Sequence, residues 1–243
     1  MLSFHPIGDQ AVRIRLGDRI EPSVHDRVRQ WCRALERQSI PGVIEWVPSY
    51  TAVTVLYRPG EVTYRQLVQS LERLAEQLDE EPLPQPRMIS LPVCYGGEYG
   101  PDLESLAEWC GKTPEEVIRI HSSVEYVVYM MGFAPGFPYL GGLPKEIAAP
   151  RLATPRSSVP AGSVGIAGEQ TGVYPIATPG GWRIIGRTPI PLYDPIRNPP
   201  VLLKAGDRLR FRPVDRTEYL SITEALEKGE DVWNTGEWLM DKT

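Results

Sequence analysis

The sequence predicts an α+β chain in two parts: an N-terminal ferredoxin-like βαββαβ domain over residues 1–86, and a mainly-β domain over 87–243 built as a compact barrel or sandwich. Three observations carry this. Strand and helix periodicities alternate through the first 93 residues; the break EEPLPQP at 80–86 holds three prolines and two acids; and residues 132–200 contain 24 of the chain's 47 glycines and prolines. Such a fraction, about 35 % of the window with no period, ordinarily signals disorder. The same window, however, holds 27 apolar residues, among them Phe133, Phe137, Tyr139, Tyr174, Trp182 and Tyr193, too many for a solvated linker. It reads as folded backbone rich in turns.

Along the chain, AVRIRL at 11–16 alternates with the period of a strand, and Val24, Val28, Trp31, Cys32 and Leu35 recur at helical spacing over 23–38. Pro41-Gly42 ends that helix. VIEWV at 43–47 and AVTVLY at 52–57 follow as the two strands of a hairpin. Thr63 caps a second helix with Leu67, Val68, Leu71, Leu74, Ala75 and Leu78 on one face. MISLPV at 88–93 supplies the strand that completes the βαββαβ order, although with a boundary near residue 87 it can belong to either side. Beyond it, Leu103, Leu106, Ala107, Trp109 and Cys110 outline a short helix ended by Gly111, and Thr113-Pro114-Glu115-Glu116 is a capping box opening another that ends near His121. EYVVYMM at 125–131 leads into the short strand candidates SVGIA, VYPIA, WRIIGR, VLLK and DRLRFRP, and TEALEKG is a last helical stretch. The tail from residue 231 carries no assignment.

Composition excludes several function classes. No apolar run approaches the roughly 18 residues of a membrane helix, and the N-terminal stretch lacks a basic n-region and a long apolar h-region, so the expected location is cytoplasmic with no membrane partner. Cys32, Cys94 and Cys110 are odd in number and lack CxxC spacing, while His5, His25 and His121 form no HxxxH pair; disulfides and a metal centre are both disfavoured. At a net charge of −5, nucleic-acid binding has no electrostatic footprint. The charge is uneven, though: residues 132–200 carry six Lys/Arg against three Asp/Glu, which leaves room for an anion site.

Residues able to carry chemistry concentrate in three clusters. GFAPGFPYL at 132–140 ties Phe133, Phe137 and Tyr139 to a tight path set by Pro135 and Gly136, suited either to an aromatic-walled pocket or to a loop capping the core. PRSSVPAGSVGIAGEQTGVYP at 155–175 offers backbone N–H groups to close approach and polar contacts from Arg156, Ser157, Ser158, Ser163, Gln170 and Thr171, without a Walker A loop. TPGGW at 178–182, with Pro179, Gly180, Gly181 and Trp182, turns into the segment carrying Arg183 and Arg187. His121 is the only histidine of the second half, either an acid–base group or a helix-end residue held by the dipole.

Taken together, the stretch from HSSVEYVVYMMGFAPGFPYLGGLP through TPGGWRIIGRTP, residues 121–189, resembles the family of 5-oxoprolinase B subunits, also called the kinase A inhibitor or allophanate hydrolase subunit 1 family. Its members are similar to one half of the carboxyltransferase domain of urea carboxylase. The resemblance implies a cyclophilin-like barrel for the second domain. It implies one component of an ATP-dependent 5-oxoprolinase that opens the lactam of 5-oxo-L-proline to L-glutamate together with a homologous C subunit and a separate A subunit, ATP being the co-substrate of the complex. Under it, His121 is a general base or orienting donor. Arg156, Ser158, Ser163, Gln170 and Arg187 line the ligand site with Pro135, Gly136, Pro179, Gly180 and Gly181; Phe133, Phe137, Tyr139 and Trp182 wall it. The alternative the family implies is inhibition of a sporulation sensor histidine kinase, with the aromatics at 133–139 or an exposed barrel face docking on its dimerisation and phosphotransfer helices.

Overall fold

The computed structural model describes residues 2–78 and 83–230, which form two units dividing between Gln85 and Pro86. The linker residues at 80–82 and the tail from 231 lie outside the described residues. The first unit is a four-stranded antiparallel sheet of β1 (Ser3–Ile7), β2 (Ala11–Arg15), β3 (Val43–Pro48) and β4 (Ala52–Tyr57) in the order β1-β2-β4-β3. Helices α1 (Pro22–Arg37) and α2 (Tyr64–Ala75) set Val28, Trp31 and Leu35, and Leu67, Leu71 and Leu74, against Val12, Ile14, Val53 and Val55 in one core. Proline in the first turn starts α1, and a reciprocal capping box between Thr63 and Gln66 starts α2. Both β2 and β3 run antiparallel to β4 between them, so β2-α1-β3 is a split crossover, as the sequence order implies.

The expected last strand of this domain differs. MISLPV does not pair with this sheet; the edge beside β2 is filled by Ser3–Ile7, giving the order ββαββα. A short segment containing Pro6 hides its strand character in the sequence, and an edge is where a sheet tolerates proline.

In the second unit β5 (Met88–Tyr95), β6 (Tyr126–Met131), β7 (Pro138–Gly141), β9 (Ser163–Ala167), β10 (Gln170–Val173), β12 (Arg183–Arg187) and β13 (Arg208–Val214) close into a barrel ordered β10-β7-β6-β13-β5-β12-β9. The strands β8 (Arg156–Val159) and β11 (Thr178–Gly180) pair separately. The β13·β5 pair is parallel and the other barrel pairs antiparallel, so the barrel is mixed. Leu91, Val93, Val128, Leu140, Val164, Ile166, Leu209 and Phe211 fill it, joined by Leu106 of α3 (Leu103–Cys110), Val117 and Ile120 of α4 (Pro114–Ser122) and Ile222 of α5 (Arg216–Glu227). Of the short strand candidates, VYPIA and VLLK are not strands: β10 stops at Val173 before Pro175, and Val201 makes only one bridge, to Tyr193. No helix among the described residues is long and apolar enough to cross a membrane.

Candidate ligand cleft

The motif at 132–140 folds as two linked turns. Phe137 N–H donates to the Ala134 carbonyl at 3.0 Å across Pro135-Gly136, with Gly136 at φ 82°, the residue pattern of a type II turn. Gly132 N–H donates to the Phe137 carbonyl at 3.1 Å and closes the loop, while Ala134 N–H reaches back 2.7 Å to the Gly132 carbonyl around Phe133 at φ 65°, forming a γ-turn. Pro135 and Gly136 therefore serve the turn itself. What the loop delivers is aromatic.

Phe137 is buried and acts as a hub. The ring centroids of Phe133, Tyr139, Tyr174 and Trp182 lie 5.4, 5.2, 5.5 and 5.6 Å from its own, three of the four edge-on. Such pairs contribute about 0.5–1.5 kcal/mol each beyond area burial. Absent side chains make the room: Gly165 and Gly172 face each other across β9 and β10, and a Cβ at Gly172 would sit 3.0 Å from Trp182 and 3.2 Å from Phe137. Val164 and Ile166 point the other way, into the barrel core, so the aromatic cluster rests on the outer wall. These rings, with Arg151, Pro155 and the Pro179-Gly180-Gly181 backbone, enclose a cleft of about 260 Å³. That is slightly below the range typical of drug-sized ligands and suits a small metabolite. A hollow of about 170 Å³ in the first unit, lined by Gln30, Arg33 and Gln77 among others, holds none of the expected residues.

The cleft gathers Phe133, Phe137, Tyr139, Pro179, Gly180, Gly181 and Trp182 from two separate motifs. Other expected residues lie elsewhere. Arg156 is a tie: its Nη2 donates to Asp102 Oδ1 at 2.7 Å, its Nη1 approaches the Trp182 carbonyl at 3.4 Å, and Asp102 Oδ2 accepts the Ile184 N–H at 2.6 Å. Ser158 is exposed on β8, and Gln170 opens β10 opposite Ala167. Ser163 is fully buried and faces Arg187 across β9 and β12. Arg187 sits four residues from Arg183, about 13 Å along the strand, with its guanidinium over the Tyr99 ring at 5.7 Å. Strand geometry thus separates Arg187 from Trp182, although the two stand close in the sequence.

His121 lies inside the unit at 0 % exposure, stacked on Phe211 at 4.4 Å. Tyr95 Oη is 2.8 Å from Nδ1, and Thr171 Oγ1 is 2.9 Å from Nε2. Thr171 donates its single hydroxyl proton to the Gly165 carbonyl, so toward the ring it accepts. Nε2 then carries the proton and Nδ1 accepts from Tyr95. Burial pushes the ring's pKa down to about 3, which keeps it neutral and consistent with that chain of donors. Both ring nitrogens are engaged and the ring has no exposed surface, so in this structure His121 links α4 to Tyr95 of β5 and Thr171 of β10 and lies away from the cleft lining.

Arg151, Pro155 and Tyr174 line the cleft although none of them is among the ligand residues expected from the sequence. Pro155 and Tyr174 stand within the 155–175 motif, whose polar residues drew attention instead; Arg151 lies outside all three clusters, and only the fold brings it to the mouth. Burial raises the Tyr174 phenol above its ordinary value, opposed by the Trp182 backbone N–H and by Arg151 and Arg156, so it stays neutral at physiological pH. Arg151 has no ion-pair partner among the described residues and is the one charged side chain in the lining.

The chain matches the family described as carboxyltransferase domain, subdomain C and D, over residues 2–203. It is 50 % identical over 230 residues to the 5-oxoprolinase B subunit of Bacillus subtilis (strain 168), covering 90 % of this chain and 95 % of that protein. The crystal structure of TTHA0988 is similar at TM-score 0.75 and 35 % identity, over 85 % of this chain and 40 % of that one. The K. lactis urea amidolyase structure shares the fold at TM-score 0.77 and 20 % identity, over 94 % of this chain and 16 % of that one. By the span of the family match and the depth of these identities, the chain belongs to the carboxyltransferase subdomain C and D family.

Proposed function

We propose that this chain is the B subunit of an ATP-dependent 5-oxoprolinase that hydrolyses 5-oxo-L-proline to L-glutamate, and that the aromatic cleft is its ligand site. The observation that carries the assignment is 50 % identity, across nearly the full length of both chains, to a protein of that name. The cleft supports it. Aromatic walls bury the faces of a small ring, and Arg151, the one cation lining the cleft among the described residues, meets its carboxylate. A lactam amide resists attack by water, so phosphorylation of its oxygen by ATP makes the ring carbon electrophilic; water adds, the C–N bond breaks as the nitrogen takes a proton, and a second water releases phosphate from the acyl phosphate, steps that need positioned donors and a base. Among the described residues the lining holds neither a carboxylate nor an imidazole, and burial keeps the Tyr174 phenol protonated at neutral pH. This chain accordingly binds and orients, and the groups that handle ATP and water reside on the partner A and C subunits. Kinase docking through the 133–139 aromatics is disfavoured, because Phe137 is buried and only Phe133 is exposed enough to anchor a partner.

Reconstitution tests this. ATP-dependent glutamate release from 5-oxoproline with the A and C subunits is expected to require this chain, and Arg151→Ala is expected to raise KM about tenfold or more, the loss of one charge-assisted contact. Activity indifferent to omission of the chain would sink the assignment.

A further inference from the structure

Phe133 is the only non-glycine residue at positive φ among the described residues, and a bulky side chain there is a steric outlier. Its γ-turn is of the strained, positive-φ kind, in which the Gly132 carbonyl and Ala134 N–H close around one residue at 2.7 Å. Glycine takes this conformation freely. Nor does burial explain a phenylalanine here, since the residue is 65 % exposed. The rest of the loop over-determines the turn: the type II turn at Pro135-Gly136, the bond closing Gly132 to Phe137 and the Phe137 aromatic hub hold the backbone on both sides. The strain secures one thing, an aromatic ring at the mouth of the cleft, standing at 75° to Phe137 and sharing the lining with Arg151.

We propose that Phe133 is a specificity-determining substrate contact, a pre-positioned ring that covers the flat face of a small cyclic carboxylate whose charge Arg151 holds. The inference rests on the reading of the cleft as the 5-oxoproline site and extends it to selectivity. The closed lactam offers a flat face to Phe133, whereas open-chain glutamate brings a second carboxylate and an ammonium that must be desolvated against the same ring. The contact therefore favours substrate over product.

In the reconstituted complex, Phe133→Gly keeps the turn, relieves its strain and removes only the ring. Its expected signature is a KM for 5-oxoproline raised about three- to tenfold with kcat unchanged, weaker discrimination against glutamate as a competitive inhibitor, and an unfolding temperature that is maintained. Phe133→Tyr keeps the ring and is expected to retain the wild-type KM. An active complex in which Phe133→Gly leaves KM unchanged overturns the proposal alone, as does a drop in kcat and unfolding temperature at constant KM. Full activity without this chain overturns the 5-oxoprolinase reading and the proposal with it.

Discussion

His121 shows how burial sets a residue's task. The folded chain keeps its ring neutral down to about pH 3, whereas the unfolded chain protonates it near 6.5. Between those values the unfolded state binds more protons, so the stabilisation is fully present above about pH 6.5 and is lost as pH falls toward 3, at up to about 1.4 kcal/mol per pH unit. The urea midpoint of the wild type is expected to fall between pH 6.5 and 4 more steeply than that of His121→Gln, which cannot titrate. Parallel slopes would refute the assignment. Sequence alone left two roles open for this histidine, because exposure is a tertiary property. The same limit hid Arg151, while Phe133, Phe137, Tyr139 and Trp182 were legible, since aromatics among turn residues have few places to go but a shared cluster.

At the level of elements, the cleft depends on a tie that touches no ligand. Asp102, just before α3, accepts from Arg156 of β8 and from the Ile184 N–H of β12, and its own N–H donates to the Ile184 carbonyl at 2.9 Å. One carboxylate thus fixes the strand following Trp182 and the strand following Pro155, both of which lead out of the cleft. Asp102→Ala removes the ion pair of a partly exposed Arg156 guanidinium, leaving it the 3.4 Å contact to the Trp182 carbonyl, and strips the acceptor from the buried Ile184 N–H, and it is expected to cost about 1–3 kcal/mol in chemical unfolding; Asp102→Asn, which keeps an acceptor, is expected to cost less. Equal losses for the two variants would show that packing, not the bonds, holds the corner. The Thr63 cap and the Thr113 capping box were readable from sequence because their partners are three residues away. The Asp102–Arg156 bond spans 54 residues and leaves no local signal.

For the whole molecule, the placement of Met88–Tyr95 decides how the chain divides. The βαββαβ pattern assigns that strand to the first sheet; its observed parallel partner is β13 and its antiparallel partner β12, both in the barrel. The first unit then needs no strand from beyond Gln85, because β1 occupies the edge beside β2 and Phe4 packs edge-on to Trp31 at 6.4 Å. All of its buried apolar residues from Val12 to Leu74 except Ala52 lie in one cluster, a core of the size that stabilises independent small domains. A fragment of residues 1–85 is therefore expected to unfold cooperatively on its own, and extending it to residue 95 is expected to add nothing to its melting temperature. Removing residues 1–7 instead strips β1 from the edge of β2 and uncovers Trp31, so that fragment is expected to lose its sharp transition. If the longer fragment were the more stable, or the truncated one unaffected, the sheet would be drawing its last strand from 88–95 after all, and the division at Gln85 would be wrong.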